Sequence, residues 1–213
     1  MVLYTQAWDI IYGMENEYNR FIPEYLKEVG EAGLVPVGGY YVEVGAGPRI
    51  IAVHSANDFL ELSSVISTRK FRGLIADVCA IVHNYRSAVL EPTGRVKYEQ
   101  YTIQKGVWKL NQYYDLRPGK KKEYADFVIN EHIPTLLKLS YVEVTGGWNV
   151  ILGGISEIMT EFTFKNPEDI GRLLNSEDFR KITLKLRTEF VANYSSRILR
   201  CTERFDEPRW FKL

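Results

Sequence analysis

The chain has 213 residues, 46% of them hydrophobic, with 27 basic and 27 acidic side chains and a formal net charge of +0. That length buries a sizeable core without disulfides or metals. The even charge lacks the basic surplus of a nucleic-acid binder or of a surface drawn to an anionic membrane. No apolar run approaches the roughly 18 residues needed to span a bilayer, and Met1–Gln6 lacks the basic-then-apolar order of a signal peptide. A soluble, cytoplasmic protein is expected.

Residues 2–11 read as a strand, stopped by Gly13. Tyr18, Phe21, Ile22, Tyr25 and Val29 then recur at the spacing of one helix face, with Pro23 expected to kink or divide that helix. Strands follow at 34–44 and 49–55, separated by Gly45-Ala46-Gly47-Pro48. A short polar segment leads to a second helix with Phe71, Leu74, Ile75, Val78 and Val82 on one face, ended by Asn84-Tyr85, and a last strand near 86–91. Cys79 and Cys201 show no metal spacing and are expected to be reduced, buried packing residues.

From residue 107 the same order returns. A strand over 107–117 ends at Pro118-Gly119, and Tyr124, Phe127, Val128, Leu136 and Leu137 mark a helix carrying Pro134. Strands follow at 141–152 and 156–164, then a helix with Phe179, Ile182, Leu186 and Phe190, ended by Asn193-Tyr194, and a strand near 196–205. Direct matches support a duplication. Gln6-x-Trp8-Asp9 and Gln112-x-Tyr114-Asp115 lie 106 residues apart, and Asn19-x-x-Ile22-Pro23 and Asn130-x-x-Ile133-Pro134 lie 111 apart. Gly38-Gly39-Tyr40 and Gly146-Gly147-Trp148 lie 108 apart, as do Phe71-Arg72 and Phe179-Arg180; Asn84-Tyr85 and Asn193-Tyr194 lie 109 apart. The chain is therefore expected to be α+β, two tandem β-α-β-β-α-β (ferredoxin-like) modules whose antiparallel sheets pack together. The first repeat is placed at 1–96, a linker at 97–106, the second repeat at 107–205, and an aromatic tail at 206–213 that packs on the body or a partner.

A duplicated module of this kind resembles the dimeric α/β-barrel superfamily. Tyr114 to Gly119, Phe127 to Pro134 and Gly39-Tyr40-Tyr41-Val42-Glu43-Val44-Gly45 resemble its NIPSNAP-like group, although Gly147–Gly153 lacks the Glu and Gly13 lacks a preceding Pro. The resemblance implies a monomer with a pseudo-dimeric barrel, or a homodimer, with ligands held between sheet and helices. It implies several activities: cofactor-free monooxygenases, isomerases, and haem proteins of the chlorite-dismutase kind. The last bind haem through a His in the C-terminal copy, and the final helix here, around 177–194, contains none.

No zinc spacing, P-loop or Gly-x-Ser-x-Gly is present, and no metal is expected. Asp9 and Asp115, kept in both copies, read as turn-bonding residues. His132 pairs with Phe21 in the repeat alignment, and beside Glu131 it is the one weak catalytic candidate. His54, at the end of a strand, is expected to be exposed. Ligand-contacting candidates are Gln112, Tyr114, His132, Trp148, Glu43 and His83. The expected function is binding of a small apolar or aromatic molecule in a sheet–helix cleft. Alternatives are a cofactor-independent monooxygenase or isomerase, a haem protein, and a non-catalytic interaction module.

Overall fold

The computed structural model describes residues 1–96 and 106–202, the side chain of Thr202 excepted. Most of the expected linker and the whole aromatic tail lie outside the described residues.

Eight antiparallel strands close into one barrel in the order β1-β3-β2-β8-β5-β7-β6-β4. Copy one supplies β1 (Val2–Ile10), β2 (Val35–Val44), β3 (Ile50–Ala56) and β4 (Val82–Pro92). Copy two supplies β5 (Trp108–Leu116), β6 (Glu143–Gly153), β7 (Ile158–Phe164) and β8 (Val191–Thr202). The copies join along two seams, β2 with β8 and β4 with β6. A single chain thus closes the barrel by itself, and closure leaves no open sheet edge.

Strand side chains alternate between two buried environments. Leu3, Tyr40, Val42, Ile51, Leu90, Trp148 and Leu199 pack inside the barrel. Trp8, Tyr41 and Ile50 face the copy-one helices α1 (Glu15–Glu31), α2 (Phe59–Ile66) and α3 (Arg69–Ile81). Leu110, Tyr114 and Phe162 face those of copy two: α4 (Lys121–Phe127), a π turn (Val128–His132), α5 (Ile133–Leu137), α6 (Pro167–Asn175), α7 (Glu177–Lys185) and a second π turn (Leu186–Phe190).

Strand registers give the repeat residue by residue. Thr5 pairs with Val53 and Ala88 in copy one, and Asn111 pairs with Glu161 and Arg197 in copy two. Tyr40 pairs with Ile51, and Trp148 with Met159. The duplication and the α+β fold stand as expected.

Four local expectations are corrected. The polar segments before the second helices are themselves helices, α2 and α6, started by Asp58 accepting from Glu61 N and by Pro167 in the first turn. Asn84 and Asn193 do not end helices; they open β4 and β8, where each amide donates to the neighbouring strand's Asp9 or Asp115. Pro23 does not break α1, because the missing bond falls on an exposed face; in copy two the helix is interrupted by the π turn ahead of Pro134. Cys79 is exposed, on the outer face of α3, while Cys201 is buried in the barrel.

Candidate functional site

The two sheet–helix interfaces use one scaffold. Trp8 Nε1 donates to Tyr18 Oη at 3.1 Å, and Tyr114 and Tyr124 share a hydroxyl–hydroxyl bond of 2.8 Å. Trp8 stacks on Tyr85 as Tyr114 stacks on Tyr194. Asp9 accepts from Arg49 N and Asn84 Nδ2, and Asp115 from Glu157 N and Asn193 Nδ2. Both aspartates therefore do the turn-bonding work read from the sequence.

These shared bonds correct the alignment of the first helices. The buried series Tyr18, Ile22, Tyr25 and Val29 corresponds to Tyr124, Val128, His132 and Leu136. The π turn inserts the residue that moves the offset from 106 to 107. His132 is therefore the counterpart of Tyr25, not of Phe21. Tyr25 meets His54 of β3 edge-on at 6.4 Å and 81°, while His132 meets the corresponding Phe162 of β7 at 6.2 Å and 84°.

That exchange alters the hydrogen bonding. In copy one Tyr25 Oη donates to Gln6 Oε1 at 2.7 Å, and Gln6 Nε2 donates to Tyr85 Oη at 2.7 Å. In copy two Gln112 Oε1 receives only a 3.4 Å bond from Thr160. The Tyr194 hydroxyl lies beside Gln112, yet Nε2 of Gln112 makes no well-formed hydrogen bond, and neither does Nε2 of His132. Both side chains are fully or almost fully buried. A buried donor or acceptor left unmade costs about 1–3 kcal/mol. Copy one carries such a group in His54, whose two ring nitrogens also make no well-formed hydrogen bond, so what sets copy two apart is the unsatisfied Gln112 where Gln6 is bonded on both sides.

A cavity of about 30 Å³ lies beside His132, lined by Tyr124, Thr160 and Phe162 and covered by Thr93, Arg95 and Val96. Thr93 N donates to Gly147 O at 2.8 Å, and the Arg95 guanidinium lies 5.5 Å from the Tyr124 ring centre. Burial lowers the His132 pKa from 6.5 to about 4, so its ring is neutral at pH 7. Phe127 stacks on it. Glu131, expected beside it, instead bridges to Lys185 at 2.6 Å on the half-exposed helix surface.

The other candidates separate. Gln112, Tyr114 and His132 share the copy-two sheet–helix interface, and of the three it is His132 that lines its cavity. Trp148 is enclosed in the barrel. Glu43 and His83 both line an open surface depression in copy one, where Glu43 accepts from Arg200 Nε at 3.1 Å. His54, expected to be exposed, is fully buried against Tyr25, because its strand is covered on both faces; burial lowers its pKa from 6.5 to about 4.

Sequence reading missed an ion pair inside the barrel. Lys109 Nζ lies 2.6 Å from Glu161 Oε1, with both side chains almost wholly buried. Tyr40 Oη donates to the other carboxylate oxygen at 3.1 Å, and Thr145 Oγ1 adds a bond at 3.0 Å. The signal was present in the repeat: Lys109 and Glu161 occupy the positions of Leu3 and Val53. Among the described residues no group of three or more His, Cys, Asp or Glu gathers as a metal site, and no helix is long and apolar enough to cross a membrane.

Haem, implied by the chlorite-dismutase-like members, does not fit beside His132. The space there holds roughly two or three water-sized units, far short of a tetrapyrrole.

No family model and no curated protein matches the sequence. Among solved structures, a monooxygenase candidate from Lactobacillus acidophilus is 11% identical, with 94% of this chain and 93% of that chain covered at a TM-score of 0.62. A heme-binding protein from Thermus thermophilus is 13% identical, with 94% and 90% covered at 0.50. An uncharacterized NIPSNAP-like domain protein from Burkholderia xenovorans overlays 45% of this chain and 85% of its own at 19% identity and 0.37. Identities this low speak for the fold, and the chain has the dimeric α/β-barrel fold, built from two copies within one polypeptide.

Proposed function

We propose that the protein binds a small, largely apolar molecule in the sheet–helix cleft of copy two, beside His132. One observation carries this reading: where copy one fills the cleft with Tyr25 and bonds Gln6 through it, copy two has a cavity beside His132, whose Nε2 makes no well-formed bond. A flat ligand with a single hydrogen-bonding group complements it. A ligand larger than the present space enters by lifting Thr93–Val96, held over the cleft by the Thr93–Gly147 main-chain bond.

Catalysis by proton transfer is the weaker reading. A base acting near pH 7 needs a pKa near that value, and burial holds His132 at about 4. A fragment screen with neutral aromatics such as phenol and indole, read by the Cε1–H resonance of His132, tests the proposal. It expects a saturable shift at His132 with His54 unmoved. Fragments that stabilise the protein while leaving His132 unmoved would refute it.

A further inference from the structure

The barrel encloses a second cavity, of about 90 Å³. It arises from a different asymmetry between the copies. On the inward face of β1, Thr5 and Ala7 stand where β5 has Asn111 and Tyr113. On β4, Ala88 stands where β8 has Arg197. Copy one thus contributes short side chains that leave the space, and copy two contributes long polar ones that reach into it.

Arg197 is only 8% exposed, and its guanidinium sits 5.0 Å from the Tyr113 ring centre, beside that residue's hydroxyl. Among the described residues it has no carboxylate partner. Glu161, the nearest buried acid along that sheet, is already taken by Lys109, Tyr40 and Thr145. The β2–β3 turn is shaped around Arg197: Gly47 has φ +98°, and a Cβ there would come within 2.6 Å of Nη2. Asn111 is 1% exposed; its Oδ1 has no partner and its Nδ2 makes only long contacts to Tyr113 Oη and Met159 Sδ. That amide is free to turn and offer a donor.

Among the described residues no Asp or Glu lines the cavity, and a second cation, Arg86, stands at its mouth. The opposite wall is apolar, formed by Leu3, Ile51, Val53 and Leu90. A buried cation without a counter-charge is costly, and a guanidinium fork matches a carboxylate. We propose that the barrel interior binds a small monocarboxylate, its charge on Arg197 and its hydrocarbon body against copy one. By volume it holds roughly six to nine heavy atoms.

Titration calorimetry on the full chain at pH 7 with benzoate, benzylammonium and toluene tests this. Benzoate is expected to bind saturably and more tightly than either analogue. Arg197→Leu is expected to weaken benzoate at least tenfold while leaving toluene unchanged, as loss of a charge-assisted bond predicts. Ile51→Trp, which fills the cavity, is expected to abolish both. Benzoate binding no tighter than the analogues, or equal in Arg197→Leu, would overturn the proposal. Should Arg197→Leu fail to fold by circular dichroism, the ligand comparison in the unaltered protein and Ile51→Trp still decide.

Discussion

Copy one and copy two share a backbone and most of their anchoring bonds, yet they differ in where they bury polar groups. In copy one Gln6 bonds both Tyr25 and Tyr85, and the inward strand faces are short and mostly apolar, although the ring nitrogens of buried His54 make no well-formed bonds. Copy two holds Lys109, Glu161, Arg197 and Asn111 inside the barrel and leaves His132 and Gln112 with unmade bonds. Features that both copies keep are explained by the fold. Features that differ must be explained locally, and three of them, Asn111, Arg197 and His132, line the two cavities.

The largest effect is expected at the barrel ion pair. Glu161→Val, which installs the copy-one residue alone, strands a buried ammonium and should lower unfolding free energy by about 3–5 kcal/mol. Adding Lys109→Leu, the other copy-one residue, should restore most of that loss in urea titrations. If the double variant remains as unstable as the single one, the two positions are not equivalent to Val53 and Leu3.

Acid stability comes next. His54 and His132 both have folded-state pKa values lowered by burial from 6.5 to about 4. The unfolded chain then binds more protons between those values, so stability is complete above pH 6.5 and falls as pH drops toward 4. Each histidine accounts for roughly 3 kcal/mol of that fall. Urea midpoints measured from pH 7 to pH 4 should decline less steeply in His54→Phe and in His132→Phe.

Tyr85→Phe removes the acceptor of Gln6 Nε2 and should cost about 1–3 kcal/mol. Its twin, Tyr194→Phe, should cost less than about 1 kcal/mol, because Gln112 Nε2 already lacks a well-formed bond. Equal costs would show that Gln112 is as well satisfied as Gln6. The smallest contrast belongs to Asp9→Ala and Asp115→Ala. Both lose the same pair of bonds, and each should cost about 1–2 kcal/mol, the two agreeing closely.

The duplication was legible because strand alternation and the recurring Gln-x-aromatic-Asp leave marks in the sequence. The helix register was not. Asn-x-x-Ile-Pro matches at an offset of 111, whereas the buried faces align at 106 and 107, since a π turn shifts phase without any distinctive residue. The burial of His54 was illegible for a related reason: the strand that carries it is covered on both faces, so polarity alone misplaces it. Glu43 and His83 stood out as unmatched residues, and they line an open depression of copy one, apart from the cavity beside His132. The α2 helix could have been read from Asp58 and Glu61, whose spacing is a capping signal. The ligand-facing arginine required the three-dimensional register, because nothing local distinguishes Arg197 from a surface residue.

His132 occupies the place of Tyr25 and leaves space there. The unfolding free energy of His132→Tyr tests this most directly. With room available, the new hydroxyl supplies Gln112 as Tyr25 supplies Gln6, and stability should rise by about 1 kcal/mol. A loss greater than about 1 kcal/mol, the signature of overpacking, would mean that the cleft is already full and that the two positions are not equivalent.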